Sequence, residues 1–343
     1  MKLGATTGWR DRVDGFKEHV QQLEAHGIEY FWSGEAYTAD AVSTLGYVAA
    51  ITERAHIGSN ILPIYTRTPS LLAMTAVGLD RLSNGRFILG IGSSGPQVIE
   101  GFHGVPYDRP LGRTREIIDI CRSVWRRDRL EYHGAHYDIP LAEGGGTGLG
   151  KPLKIIGQPV RDRIPIFVAA LGPKNVELTA ELADGWQPLY LYPDRARDVW
   201  GDALRAGAAK RAADLGPLEV VAGGLLAIGN DVDHLRDAIR PTLALYYGGM
   251  GARGANYYND VLRRYGYEAE ADEIQDLYLG GERETAAARV PRELVDAMSL
   301  VGDEGFVKDR VAAYREAGVT ILNVEAIGPN GLRDVATLAE WIS

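Results

Sequence analysis

The chain has 343 residues, 45% of them apolar and 24% charged, a balance that supports a full core and excludes a disordered or low-complexity protein. Its 37 basic residues against 46 acidic ones leave a net charge of −9, which argues against nucleic acid or an anionic membrane surface as the main partner. A single cysteine, Cys121, excludes an internal disulfide and a thiolate zinc cage.

Strand-length apolar runs alternate with helix-length amphipathic stretches, and that order predicts βα units with parallel strands. A strand over Lys2 to Ala5 precedes a helix over Gly15 to Ala25, whose Phe16, Val20 and Leu23 share one face and which Gly27 closes. The next pairs are Ile28–Trp32 with Asp40–Thr52, and Ala55–Leu62 with Ser70–Leu82, the latter helix starting after Pro69. A fourth strand, Phe87–Ile91, leads to a long helix over Leu111–Trp125 and then a hairpin over Leu130–Tyr137 with its turn at His133-Gly134. Glu143 to Gly150 holds five glycines in eight positions and reads as a flexible lid. Three more units follow: Pro165–Ala170 with Asn175–Leu182, Gly185–Leu191 with Ala196–Ala213, and Leu218–Ile228 with Val232–Tyr246. The stretch Tyr247–Ser299 is only weakly periodic, and the chain closes with Phe306–Ala317, Thr320–Val324 and Leu332–Trp341. Eight strands with intervening helices predict a (β/α)8 TIM barrel over residues 1–343 as a single domain, with insertions near 127–163 and 247–300. The N-terminus lacks a signal-peptide pattern and no run of about 18 apolar residues occurs, so a cytoplasmic protein without membrane spans is expected.

Two motifs mislead. Gly90-Ile91-Gly92-Ser93-Ser94-Gly95 satisfies G-x-G-x-x-G, but it follows the fourth strand rather than the first and opens no long helix. Glycine and serine at the end of a barrel strand instead allow a cofactor to approach the backbone closely. Gly145 to Lys151 satisfies G-x-x-x-x-G-K, yet the next residue is Pro152, which brings neither hydroxyl nor N–H to a phosphate. Ala169 to Asn175 spans a strand end and a helix start, a geometry suited to phosphate. Glu35, Tyr37 and Asp40 follow the second strand, and Tyr65 and Arg67 the third, so all five are expected on the barrel's mouth. None of the seven histidines forms an H-x-x-x-H pair, and no metal site is expected.

Read in order, Gly34-Glu35-Ala36-Tyr37, Gly58 to Pro69, Leu89 to Gln97 and Ala169 to Pro173 resemble the luciferase-like monooxygenase family, and within it the coenzyme F420-dependent oxidoreductases. Leu82-Ser83-Asn84-Gly85-Arg86 and Ala183-Asp184-Gly185-Trp186 extend the likeness over essentially the whole chain. The resemblance implies a TIM barrel with insertions, a homodimer, and a flavin or deazaflavin at the C-terminal mouth. The third-strand segment is similar to methylenetetrahydromethanopterin reductases, which implies a non-prolyl cis peptide at Asn60-Ile61 behind the deazaflavin ring. By the same similarity Ser59, Asn60, Ile61, Gly92, Ser93, Ser94 and Gln97 should surround the ring or its ribityl chain. Ala170, Leu171, Gly172, Lys174 and Asn175 should hold the phosphate, and Glu35 takes the acidic position that contacts the deazaflavin.

The glucose-6-phosphate dehydrogenase branch has a histidine where this chain has Ala36, and a glutamate in the loop that here reads Gly95-Pro96-Gln97. A sugar-phosphate substrate is therefore not expected. The resemblance implies hydride transfer between reduced coenzyme F420 and a small ketone, enone or imine, with Glu35 and Tyr65 as candidate catalytic residues and Tyr37 and Gln97 as weaker ones. A carboxylate there needs a raised pKa to act as a general acid. Two alternatives stay open: a two-component monooxygenase using FMN, and an F420-binding protein without turnover. Tyr246, Tyr247, Tyr257 and Tyr258 fit an aromatic pocket for a flat or lipophilic substrate, or a solvated or dimer-interface surface.

Overall fold

The computed structural model describes residues 1–7, 14–142 and 144–342. Eight strands run parallel: β1 (Lys2–Thr6), β2 (Tyr30–Ser33), β3 (His56–Ser59), β4 (Phe87–Gly92), β5 (Ile166–Val168), β6 (Gly185–Trp186), β7 (Glu219–Ile228) and β8 (Ile321–Ala326). Each pairs with the next, and Ile321 of β8 lies opposite Lys2 of β1, so the sheet closes into the expected (β/α)8 barrel. The reason is visible in β4, Phe-Ile-Leu-Gly-Ile-Gly, which is buried at every position, as a parallel strand covered on both faces must be. Tyr30, Trp32, Ile88, Phe167, Val221 and Ile321 fill the barrel interior, while a larger apolar layer joins the sheet to its helices.

The longer outer helices are α1 (Phe16–Ala25), α2 (Ala41–Ile51), α3 (Pro69–Leu82), α4 (Pro110–Trp125), α5 (Pro173–Leu182), α6 (Pro193–Ala208), α7 (Tyr257–Arg264), α8 (Glu268–Leu279), α9 (Glu304–Glu316) and α10 (Gly331–Ile342). Local chemistry sets their starts. Asp40 caps α2 by accepting from the Ser43 N–H, Thr68 caps α3 by accepting from Leu71, and α3 to α6 each begin on a proline, whose missing N–H costs nothing at a first helical position.

Three expectations are corrected. The hairpin pairs Tyr132–His133 with Asp138–Ile139, so its turn runs over 134–137 rather than at His133-Gly134. The carboxylate of Glu116 causes this by accepting from the N–H groups of Ala135, His136 and Tyr137. The helix expected over Val232–Tyr246 is three pieces: a 3-10 turn over Asp233–Ile239, a short α-helix over Arg240–Ala244 and a π-helix over Leu245–Gly249. The weakly periodic stretch after it is helical as well, carrying α7, α8 and two short helices, Arg283–Ala288 and Arg292–Ala297. Glu143, the first residue of the expected lid, lies outside the described residues, and a Cβ added at Gly145, Gly146 or Gly150 would come nearest to Pro140, Leu141 and Ala142. Among the described residues no helix is long and apolar enough to cross a membrane.

Beyond β3 the chain bulges. The Asn60-Ile61 peptide is cis, after which Leu62 and Pro63 rejoin the sheet opposite Ile91 and Gly92 of β4. Asn60 donates from its backbone to Ser33, and Glu35 donates from its backbone to Ile61 (3.1 Å), so the bulge is tied to the end of β2. Gly34 makes this approach possible, because a Cβ there would lie 2.1 Å from the Asn60 carbonyl oxygen.

Candidate active site

A cavity of about 340 Å³ opens at the C-terminal ends of β4, β5 and β6. Barrel enzymes build their sites on that face because the loops after the strands are free to vary there. Of the residues expected around a ring, Ile61, Gly92, Ser93 and Ser94 line it. Of those expected around a phosphate, Ala170, Leu171, Gly172, Lys174 and Asn175 all line it. Ile61, Gly92–Ser94 and Ala170–Asn175, which are far apart along the chain, therefore form one enclosure.

The phosphate-side loop is held from behind. Trp186 Nε1 donates to the Ala170 carbonyl (2.9 Å), and Trp200 Nε1 and Arg264 Nη2 donate to the Leu171 carbonyl (2.9 and 2.8 Å). Gly172 caps α5 without a side chain, Pro173 has no N–H, and Asn175 and Val176 donate back to the Gly172 carbonyl. The Lys174 N–H and the positive end of the helix dipole thus remain for a ligand at the cavity wall. Lys174 itself is ion-paired through Nζ with Glu177 at 3.1 Å.

The remaining expected residues lie off this lining. Ser59 is fully buried, and its hydroxyl both donates to the Gly90 carbonyl and accepts from the Gly90 N–H (2.8 Å each), stitching β3 to β4. Asn60 contributes its backbone to the bulge, and Gln97 is exposed on the short helix Pro96–Gly101. Glu35 accepts from Arg67 through both oxygens (2.6 and 2.7 Å) and from the Ala41 N–H (3.1 Å). It is engaged as an acceptor by a two-pronged guanidinium, a strong and directional pairing. Tyr65 donates to the Asp108 carbonyl (2.7 Å), its ring lies 5.0 Å from that of Tyr107, and burial pushes its hydroxyl up to about 12. Asp40 serves as the α2 cap, and exposed Tyr37 faces Phe102 with 6.2 Å between ring centroids.

Several lining residues carried no clear signal in the sequence. Tyr107, Pro110 and Leu111 sit in the loop after β4 and the start of α4, where the barrel rule alone would have placed mouth residues. Tyr107 is half-buried with its hydroxyl 3.4 Å from that of Tyr257 and within reach of Ser93, and desolvation raises its pKa, so the phenol stays protonated. Met250 comes from the segment after the π-helix, together with Tyr257 and Tyr258, two of the four tyrosines expected in an aromatic pocket; Tyr246 and Tyr247 lie off the lining. Asn256, nearly fully buried, holds that segment by donating to the carbonyls of Tyr246 and Tyr247 and accepting from the N–H groups of Tyr258 and Asn259. Gln187 and Leu189 come from the loop after β6; Gln187 Oε1 is buried and has no partner among the described residues.

Comparison with known proteins agrees with this architecture. Residues 2–320 match the model of the luciferase-like monooxygenase family. A Mycobacterium tuberculosis protein whose name assigns it to the coenzyme F420-dependent oxidoreductases is 41% identical, over 98% of this chain and 99% of its own. The 5,10-methylenetetrahydromethanopterin reductase of Archaeoglobus fulgidus is 26% identical over 94% of this chain and 93% of its own. The solved structure of the coenzyme F420-dependent tetrahydromethanopterin reductase of Methanopyrus kandleri superposes with a TM-score of 0.78 at 24% identity, covering 99% of this chain and 97% of that one. The chain belongs to the luciferase-like monooxygenase family of enzymes.

Proposed function

We propose that this protein is a coenzyme F420-dependent oxidoreductase that transfers a hydride between the reduced deazaflavin and a small organic substrate of the ketone, enone or imine type. The 340 Å³ cavity supports this reading: it has an apolar end at Ile61 and Gly92 and an anion-accepting end at the start of α5. A planar ring joined through a polyol to a phosphate has that distribution of chemistry, and the F420-dependent relatives favour the deazaflavin over FMN. When bound, the reduced cofactor supplies the hydride. Ile61 and Gly92 would back the ring, Ser93 and Ser94 would reach the polyol, and the Lys174 N–H with the α5 terminus would hold the phosphate. Tyr107, which lines the cavity, would give the second hydrogen of the reduced product as a proton from its phenol, with the more exposed Tyr257 passing a proton from solvent. Glu35, anchored by Arg67 and bonded through its N–H to Ile61, would act as a positioning residue for the bulge. Exposed Tyr37, Phe102 and Leu189 near the mouth suit a flat, weakly polar substrate.

Fluorescence titration of the purified protein with F420 and, separately, with FMN tests the reading. The expected result is micromolar or tighter binding of F420 and binding of FMN at least about tenfold weaker. Preference for FMN overturns it in favour of oxygen-dependent chemistry. Tight F420 binding without oxidation of reduced F420 across a ketone, enone and imine panel would leave a binding protein.

We propose further that the protein works as a homodimer through the outer faces of α2 and α3, which pack side by side. Helix α2 has no charged residue, and the charges of α3 are buried Asp80 and Arg81 near its end, in a chain that is 24% charged overall. Tyr47, Leu71, Met74 and Leu82 are nonetheless 46–64% exposed along these faces. Such a neutral apolar face on a chain of net charge −9 fits a second copy of itself, because self-association elsewhere would bring like charge together. Met74→Glu with Tyr47→Glu is expected to convert the dimer to a monomer in light scattering; an unchanged mass would place the interface elsewhere.

A further inference from the structure

Gln187 is 2% exposed, lines the cavity, and has its two amide atoms in opposite situations. Nε2 donates to the Ser59 carbonyl (3.3 Å), while Oε1 is buried without a partner among the described residues. Because the Ser59 oxygen can only accept, it fixes the amide with Nε2 toward β3 and Oε1 away from it. Ser59 immediately precedes the Asn60-Ile61 bulge, so the amide is pinned directly beside that bulge. Gly90 clears the space for it: a Cβ there would lie 2.9 Å from Gln187 Oε1 and 1.7 Å from the Ser59 oxygen. One acceptor therefore lies in a fixed orientation beside the cavity floor, and a buried acceptor left unpaired is costly to keep.

We propose that Gln187 Oε1 accepts the ring N–H of the bound cofactor, the imide N–H that lies between the two carbonyls of a flavin or deazaflavin pyrimidinedione. This assignment rests on the cofactor reading above. It makes Gln187 a ligand-specificity residue. A ring with an acceptor at that position, or with the nitrogen alkylated, leaves Oε1 unpaired and is rejected, whereas the matching N–H completes the site. Discrimination of this kind exceeds what an apolar pocket achieves, because the penalty falls on a desolvated polar atom.

One variant and three ligands test it. Gln187→Met keeps the volume and removes the acceptor; F420, 5-deazariboflavin and its imide-N-methyl derivative are titrated by fluorescence against wild type and variant. Wild type is expected to bind 5-deazariboflavin about tenfold or more tightly than the methylated ring, and Gln187→Met is expected to lose about tenfold for F420 while no longer distinguishing the two rings. If the variant binds F420 within twofold of wild type, or if methylation costs the same in both proteins, Gln187 does not read this N–H. If wild type binds none of the three ligands, the cofactor reading itself fails, an outcome separate from the first. The wild-type ligand pair retains its force should the variant prove unstable: equal binding of the two rings by wild type overturns the proposal.

Discussion

Gly90→Ala is expected to lower the melting temperature sharply, whereas Gly92→Ala, two residues along the same strand, is expected to melt like wild type and lose cofactor binding. The two glycines look equivalent in the sequence. A Cβ at Gly90 would lie 1.7 Å from the Ser59 carbonyl oxygen and 2.8 Å from its carbon, which are backbone atoms of the neighbouring strand β3. Relief requires β3 and β4 to separate where the Ser59 hydroxyl stitches them, at a cost of about 3 kcal/mol or more, a fall of roughly 6–12 °C. A Cβ at Gly92 would meet Ile61 Cγ1 at 3.2 Å and Ala169 Cβ at 3.3 Å. The Ile61 side chain can turn aside, so the fold survives, but the added methyl and the displaced isoleucine occupy the apolar end of the cavity. Thermal melts and F420 titrations of both variants check this. A Gly90→Ala protein melting within 2 °C of wild type, on the scale of about 2–4 °C per kcal/mol, would show that the clash is relieved elsewhere.

The second large effect concerns the Glu35–Arg67 pair, whose side chains are 10% and 15% exposed. Replacing either partner leaves the other charge largely desolvated, so Arg67→Met and Glu35→Gln are each expected to cost about 3 kcal/mol in urea unfolding. The double variant is expected to cost less than the sum by about 1–3 kcal/mol, because neither charge is then stranded. The same variants separate two roles for Glu35. As a positioning residue that ties the β2 loop to the bulge, it makes Arg67→Met and Glu35→Gln equally harmful to F420 binding and to turnover. As the proton source, it would make Glu35→Gln abolish turnover and remove a limb of the pH–rate profile while Arg67→Met kept both.

Composition and local pattern already determined much of this protein. Alternating strands and helices imply parallel pairing, and eight such units leave barrel closure as the natural way to remove sheet edges. The glycine-proline turn at Gly172-Pro173 places a side-chain-free helix start at the mouth, because a cap without a side chain does not cover the first-turn N–H groups.

Only the tertiary structure decided which mouth residues meet. Glu35 and Arg67 are 32 positions apart, and nothing local indicates that the guanidinium donates to both carboxylate oxygens. Ser59 reads as a cofactor contact but spends its hydroxyl on Gly90, because adjacent strands bring backbone N–H and carbonyl groups within its reach. Gln187, Tyr107 and Met250 reach the cavity from three different loops, and loop residues carry no periodicity to betray their direction. The π-helix at Leu245–Gly249 is held by Asn256 and Asn259, which donate to the carbonyls of Tyr246 and Tyr247, a partnership spread over residues 245–259. The elements follow from interactions within a few residues, and the site from contacts across tens to hundreds, which exist only once the barrel has closed.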